Sequence, residues 1–310
     1  VGKGRQIAGV ILDNFNHGGK KALWISQASG LVEDARRDWK GLGGDAGEVL
    51  QYDDVKKKKA GLGAYDKGIL FTTYNMLGAP TGEKHLKAIT DWLGKDFDGV
   101  IVFDEAHNMS NIAPTKGARG KKDPAKRAQR GVELQRMLPN ARVLYASATG
   151  ATNVNNLLYA ERLGLWGEGT QFVDAQDFVA KISKSGIAAM ELVARDMKGM
   201  GDYLARSISY DGVEFDRLTH NLTQDQLYMY DTMCEAWQVI LQNVEKAIGD
   251  TKAPKNASSA FWGSLQRFYE SIITSFAVPS VIEDMEKELA AGHSCVIQLV
   301  NTREVAQNRA

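Results

Sequence analysis

Four short runs in the first half of the chain, Ala22–Ser26, Ile69–Thr72, Val100–Phe103 and Val143–Ala146, are apolar at nearly every position. A strand with one wet face alternates apolar and polar residues, so an unbroken apolar run reads as a strand buried on both faces. Amphipathic stretches lie between the runs. Gln6–Asn14 carries Ile7, Val10 and Ile11 on one face, and Leu31–Trp39, His85–Leu93 and Val132–Leu138 repeat the pattern. Strand and helix in alternation need right-handed crossovers, which predicts an α/β fold with a parallel sheet flanked by helices.

After about Gly150 the pattern changes. Gly, Trp and Phe punctuate Leu163–Phe178, and long helical segments follow. Thr223-Gln224-Asp225-Gln226 has the form of a capping box and predicts a helix running to about Ile248. A Pro-containing break at Ala253–Asn256 precedes a second helix over Phe261–Phe276. Pro279 fits the first turn of a third helix, and Gly292 fits just past its end. Cys295–Val300 reads as a new strand. The expected organisation is an α/β lobe over 1–165, a mainly helical extension over 166–292, and the first strand of a further α/β lobe over 293–310. The chain opens on Val1-Gly2-Lys3 rather than Met, so a piece cut at both ends is expected.

Composition narrows the class. With 310 residues, 44% hydrophobic and 25% charged, the chain is neither a disordered tail nor a fibre. Lys+Arg and Asp+Glu both total 38, so the chain is not a basic nucleic-acid coat. A local basic patch is still open, because patches depend on distribution. Two such runs occur, Lys56–Lys59 and Thr115–Arg130, and both read as exposed loops. Two cysteines allow no disulfide framework, which fits a reducing compartment, and Cys234 reads as a small buried hydrophobe. No apolar run approaches a membrane span. His17, His85, His220 and His293 have no ligand spacing, so no structural metal is expected. Trp262, Phe268 and Tyr269 beside Arg267 suit base stacking, but their helical spacing favours a core role.

Three motifs carry chemistry. Gly2-Lys3 stands directly before an apolar helix, as at the end of a phosphate-binding loop. Such a loop needs glycine so that backbone wraps a phosphate, a helix N-terminus to face it, and lysine to reach the outer phosphates. Asp104-Glu105-Ala106-His107 ends an apolar strand, where ligands of open α/β sheets bind. In nucleoside triphosphatases the Asp of such a pair holds Mg2+, and the Glu orients and deprotonates the attacking water. Ser147-Ala148-Thr149 ends another apolar run, where small hydroxyls can bond a His/Glu cluster and report nucleotide state.

The order and spacing of these motifs resemble the superfamily 2 helicase core. Longer stretches resemble the strawberry notch helicase family in particular. They are Gly2-Lys3-Gly4-Arg5, with Gly4 in the usual Ser/Thr place, Ala22–Ser26 followed by Asp34, Arg37 and Asp38, and Leu134–Gly150. Arg162–Thr170 and Met190–Arg206 extend the likeness.

The resemblance implies a RecA-like P-loop ATPase lobe, a helical extension and the start of a second RecA-like lobe. It implies nucleotide binding by Gly2, Lys3, Gly4 and Arg5, Mg2+ held by Asp104, and Glu105 as catalytic base with His107 beside it. His107, Ser147 and Thr149 would couple hydrolysis to movement, and Ser26, Thr72, Thr73 and Tyr74 would meet a nucleic-acid backbone. ATP and Mg2+ are the cofactors implied. The partners are nucleic acid, DNA ahead of RNA, with no membrane, and other domains of a longer polypeptide. Gly4 lacks the hydroxyl that usually ligates Mg2+, so another group must fill that place. Two alternatives stand beside an ATP-dependent helicase or translocase. One is a non-catalytic, nucleotide-sensing interaction module in transcriptional regulation. The other is the motor segment of a larger phage or plasmid methylase-helicase.

Overall fold

The computed structural model describes residues 2–112, 115–117, 120–148, 154–205, 211–250 and 256–298. The chain divides into two compact units, Val1–Arg206 and Ser207–Ala310.

The first unit holds an α/β lobe and runs past the expected boundary at 165. Helix α1 (Lys3–Asn16) leads into β1 (Lys21–Ser26), α2 (Val32–Lys40), β2 (Val49–Gln51) and α3 (Tyr52–Val55). Strand β3 (Gly68–Thr73) follows, then α4 (Tyr74–Gly78), α5 (Gly82–Leu93) and β4 (Val100–Asp104). After the short strands β5 (Thr115–Gly117) and β6 (Gly120–Lys122) come α6 (Lys126–Met137) and β7 (Arg142–Ala146). Five strands form one parallel sheet in the order β2-β3-β1-β4-β7.

Burial on both faces explains the apolar runs. Leu23, Ile25, Leu70, Ile101 and Phe103 join one core layer, beneath Leu86 and Ile89 of α5 and Val132 of α6. The alternate residues Ala22, Trp24, Ile69, Phe71, Val100 and Val102 join the other, beneath Ile7 and Ile11 of α1 and Val32 and Trp39 of α2. Along β1, β3 and β4 nearly every residue therefore leaves water on one side or the other, and a polar residue inside such a strand would sit unpaired in a core. The run at Val143–Ala146 differs, because β7 is the edge strand and is only half-buried. Register matters most at the carboxyl edge. Ser26 pairs with Thr73, Ile25 with Phe103, and Asp104 with Ala146. In parallel register such neighbours share a face, so Thr73, Ser26, Asp104 and Ala146 form one row. Alternation places that row on the side of α1 and α2.

Beyond the sheet, α7 (Ala175–Met200) is broken at Gly186, whose φ of 74 lies outside helical space. Phe178, Ile182 and Met197 of α7 pack with Val154 and Leu165 in a separate small core. The second unit is a pair of long helices, α8 (Gln224–Asp250) and α9 (Asn256–Ala290). Tyr230 meets Tyr269, and Trp237 meets Phe261 and Phe268, so the helices run antiparallel. Among the described residues no helix is long and apolar enough to cross a membrane.

Several expectations need correction. The basic stretch Thr115–Arg130 is not one loop, because it holds the β5–β6 hairpin and the first turn of α6. Pro279 does not start a third helix but lies inside α9. Proline removes the helical donor to the carbonyl four residues back, that of Ser275, yet α9 runs on through it. One residue further along, Gln226 Nε2 of α8 donates to the Phe276 carbonyl at 3.3 Å. The capping box is real: Thr223 N–H donates to Gln226 Oε1, and Gln226 N–H to Thr223 Oγ1. Cys234 is exposed rather than buried, since α8 buries only a narrow strip against α9. Of the aromatic trio, Phe268 and Tyr269 are half-buried, whereas Trp262 is exposed. Residues 293–298 carry no strand, and the rest of the expected strand and lobe, 299–310, lies outside the described residues. The expected break at Ala253–Asn256 lies largely outside the described residues.

Candidate active site

The site is built where α1 begins and β4 ends. Gly2 precedes α1 with φ 86 and ψ −1, a left-handed conformation that glycine adopts freely. No side chain caps the helix and its first turn holds no acid, so its leading N–H groups face outward as an anion site would require. Lys3 is the first helical residue.

Asp104 is the last residue of β4 and is buried. Its Oδ2 accepts from Ser26 Oγ at 2.9 Å. Its Oδ1 accepts from the Glu105 N–H at 3.0 Å and lies 2.9 Å from Lys3 Nζ. Lys3 also hydrogen-bonds Glu105 Oε1. Burial pulls the Lys3 ammonium toward neutrality, but its hydrogen bonds to Glu105 and Asp104 and their charges outweigh this, and its pKa ends above the ordinary lysine value.

Glu105 has φ 50 and ψ 50, and is the one non-glycine residue with positive φ among the described residues. Such a conformation costs on the order of 1–3 kcal/mol and persists where the surroundings over-determine it. Here the surroundings do so. The Glu105 carbonyl accepts from Asn108 N–H and Nδ2, and the turn Ala106–Met109 is anchored by buried Ala106 and Met109. Arg127 Nε of α6 donates to the Asn108 carbonyl at 3.0 Å. His107 Nδ1 lies 3.3 Å from Glu105 Oε2 and 3.0 Å from Ser147 Oγ, which ties the end of β4 to the end of β7.

The structure thus brings together Lys3, Asp104, Glu105, His107, Ser147 and Ser26. Ser26 arrives in a different place from the one expected. It is buried and bonded to Asp104, not turned outward. Thr72, Thr73 and Tyr74 are buried as well. Thr73 Oγ1 caps α4 by accepting from Met76 N–H at 3.3 Å. The Tyr74 phenol has no hydrogen-bond partner among the described residues, and burial together with the nearby Asp104 pushes its pKa well up. Arg5 is exposed and reaches toward the end of α2, where a Cβ on Gly41 would stand 2.4 Å from its Nη2. Thr149 lies outside the described residues.

Sequence reasoning gave no role to Asn108, Arg127 or Arg130. Arg130 Nη1 donates to the carbonyls of Leu77 and Ala79. Two cations of the basic run therefore brace helices rather than form a free patch, and a count of charges carries no signal of that.

The family described as P-loop containing NTP hydrolase pore-1 matches residues 1–232. Protein FORGETTER 1 of Arabidopsis thaliana is 38% identical over 321 residues, covering 100% of this chain and 24% of that protein. Protein strawberry notch homolog 1 of Homo sapiens is 38% identical over 318 residues, covering 98% of this chain and 22% of that protein. Protein strawberry notch of Drosophila melanogaster is 37% identical over 317 residues, with 98% and 19% covered. The chain thus spans a quarter or less of the length of these relatives.

Proposed function

Since the chain belongs to the strawberry notch family of P-loop NTP hydrolases, we propose that it is the ATP-hydrolysing half of a motor that moves along nucleic acid, with DNA its preferred track. The observation that carries this reading is the convergence of Lys3, Asp104 and Glu105 at one sheet edge. The donor set fits Mg·ATP: an ammonium and an uncapped helix N-terminus for phosphates, and two adjacent carboxylates for a cation and a water. Mg2+, when bound, supplies charge neutralisation to the outer phosphates.

The residues divide the work. Lys3 exchanges its carboxylate partners for the β/γ-phosphates. Asp104 would hold the metal, with Ser26 and the Glu105 N–H fixing its two oxygens. Glu105 accepts the proton of the attacking water. Positioning and electrostatics do most of the rest. His107 and Ser147 join β4 to β7, so a change at Glu105 reaches the next strand end.

For nucleic acid, the exposed groups at this edge are better placed than the buried Ser26, Thr72, Thr73 and Tyr74. Exposed Asn75 directly follows Tyr74. With Lys126 and Arg127 it lines a shallow depression of about 420 Å³ between α4 and α6. Amide and cationic groups of this kind suit phosphate contacts.

The test is ATP hydrolysis with and without single- and double-stranded DNA and RNA, with Glu105→Gln beside it. Turnover stimulated by a polymer and lost in the variant is expected. Polymer-independent turnover would remove the track, and absence of turnover with nucleotide still bound would favour a nucleotide-sensing interaction module.

A further inference from the structure

Gly4 occupies the position where phosphate-binding loops usually carry Ser or Thr, whose hydroxyl faces Mg2+. The space beside it is taken. A Cβ built on Gly4 would stand 2.2 Å from Asp38 Oδ2 and 3.3 Å from its carboxyl carbon. A Ser or Thr oxygen would lie one bond beyond that Cβ, so the Asp38 oxygen stands close to where the hydroxyl oxygen belongs.

Among the described residues Asp38 has no structural partner to account for its placement. It lies on α2, half-buried, and makes no hydrogen bond or ion pair among the described residues. The neighbouring cation Arg37 is paired with Asp34 at 2.7 Å, and Arg5 is turned to the end of α2. A half-buried carboxylate without a cation is unfavourable, and beside incoming phosphates it would be more so unless a metal stood between them.

We propose that Asp38 supplies the oxygen that the residue after Lys3 lacks, presenting its carboxylate to the Mg2+ of the bound nucleotide in place of a Ser or Thr hydroxyl. Gly4 is then required for space: any side chain there would displace the carboxylate. The inference rests on the nucleotide-binding reading of Lys3, Asp104 and Glu105.

The experiment is a fluorescence titration with mant-ATP, with and without Mg2+, on the protein and on Asp38→Ala, Asp38→Asn and Gly4→Ser/Asp38→Ala. Circular dichroism checks folding, and Asp38→Asn keeps the side-chain size should alanine perturb α2. Removing Asp38 removes both a repulsion and a ligand, so two effects of opposite sign are expected. Metal-free affinity should hold or tighten, while the gain conferred by Mg2+ should fall roughly tenfold to a hundredfold. The double variant restores an oxygen at position 4 and should recover most of that gain. An unchanged Mg2+ gain in Asp38→Ala overturns the proposal, as does a parallel fall with and without metal, which would indicate packing alone. If the unmodified protein binds no mant-ATP in Mg2+, the nucleotide reading itself fails; if it binds and the Asp38 variants show the same Mg2+ gain, this inference alone fails.

Discussion

Replacing Ser26 by Ala separates an inward role from an outward one. Ser26 is 0% exposed and Asp104 8% exposed, and the 2.9 Å bond between them is the one that holds Asp104 Oδ2. A hydrogen bond to an ionised group is worth about 1.5–3 kcal/mol, and losing the donor strands a buried charged oxygen. Taking about 2 kcal/mol, and about 2–4 °C per kcal/mol for a unit of this size, the midpoint of thermal unfolding should fall by roughly 4–8 °C. The freed carboxylate should also hold Mg2+ less well, by about tenfold or more. Thermal melts by circular dichroism and a Mg2+ titration of nucleotide binding measure both. A melt within about 1 °C of the parent, with an unchanged Mg2+ requirement and weakened nucleic-acid binding, would refute the reasoning. It would return Ser26 to the surface role implied by resemblance.

Other outcomes follow from the same geometry. Lys3→Ala leaves Asp104 and Glu105 without their shared cation. Because Lys3 and Glu105 are partly solvated, the loss in urea unfolding should be about 1–2 kcal/mol, below the 3–5 kcal/mol of a fully buried pair, with nucleotide affinity sharply reduced. At Glu105 the usual stability order should invert: Glu105→Gly should exceed Glu105→Ala by about 1 kcal/mol, since only glycine adopts φ 50 without strain. Equal stabilities would show that the turn relaxes. At high pH, burial holds the Tyr159 phenol up to about 12 and pushes Tyr145 up as well. Both pKa values are raised on folding, so the stability they lend is complete below about pH 10 and is lost as pH rises toward the folded values. Absorbance at the tyrosinate band should therefore show these phenols ionising late and together with unfolding; early ionisation in a folded protein would contradict their burial.

The sheet was legible because two-sided burial writes itself as unbroken apolar runs. Strand β2 was not, because Val49–Gln51 is too short to show a period. Lys3, Asp104 and Glu105 were legible as residue types at the right chain positions. Ser26 was misplaced because its partner is set by register across β1 and β4, which no local pattern contains. The left-handed backbone of Glu105 was likewise invisible, since its cause is the brace from Asn108 and Arg127. Pro279 shows a local rule overridden, because α9 packs along α8 through Tyr269, Phe268 and Phe261, contacts that the local sequence around the proline does not show.

The site joins distant parts of the chain. The Lys3–Glu105 bond spans 102 residues, Ser26–Asp104 spans 78 and His107–Ser147 spans 40. Contacts of such separation close slowly, after most of the loop entropy has been paid. During synthesis Lys3 and Ser26 leave the ribosome well before Asp104 exists to receive them. The constellation is therefore complete only when the central strands have assembled, and a half-made lobe holds the phosphate-binding lysine without the carboxylates that would put a nucleotide to use.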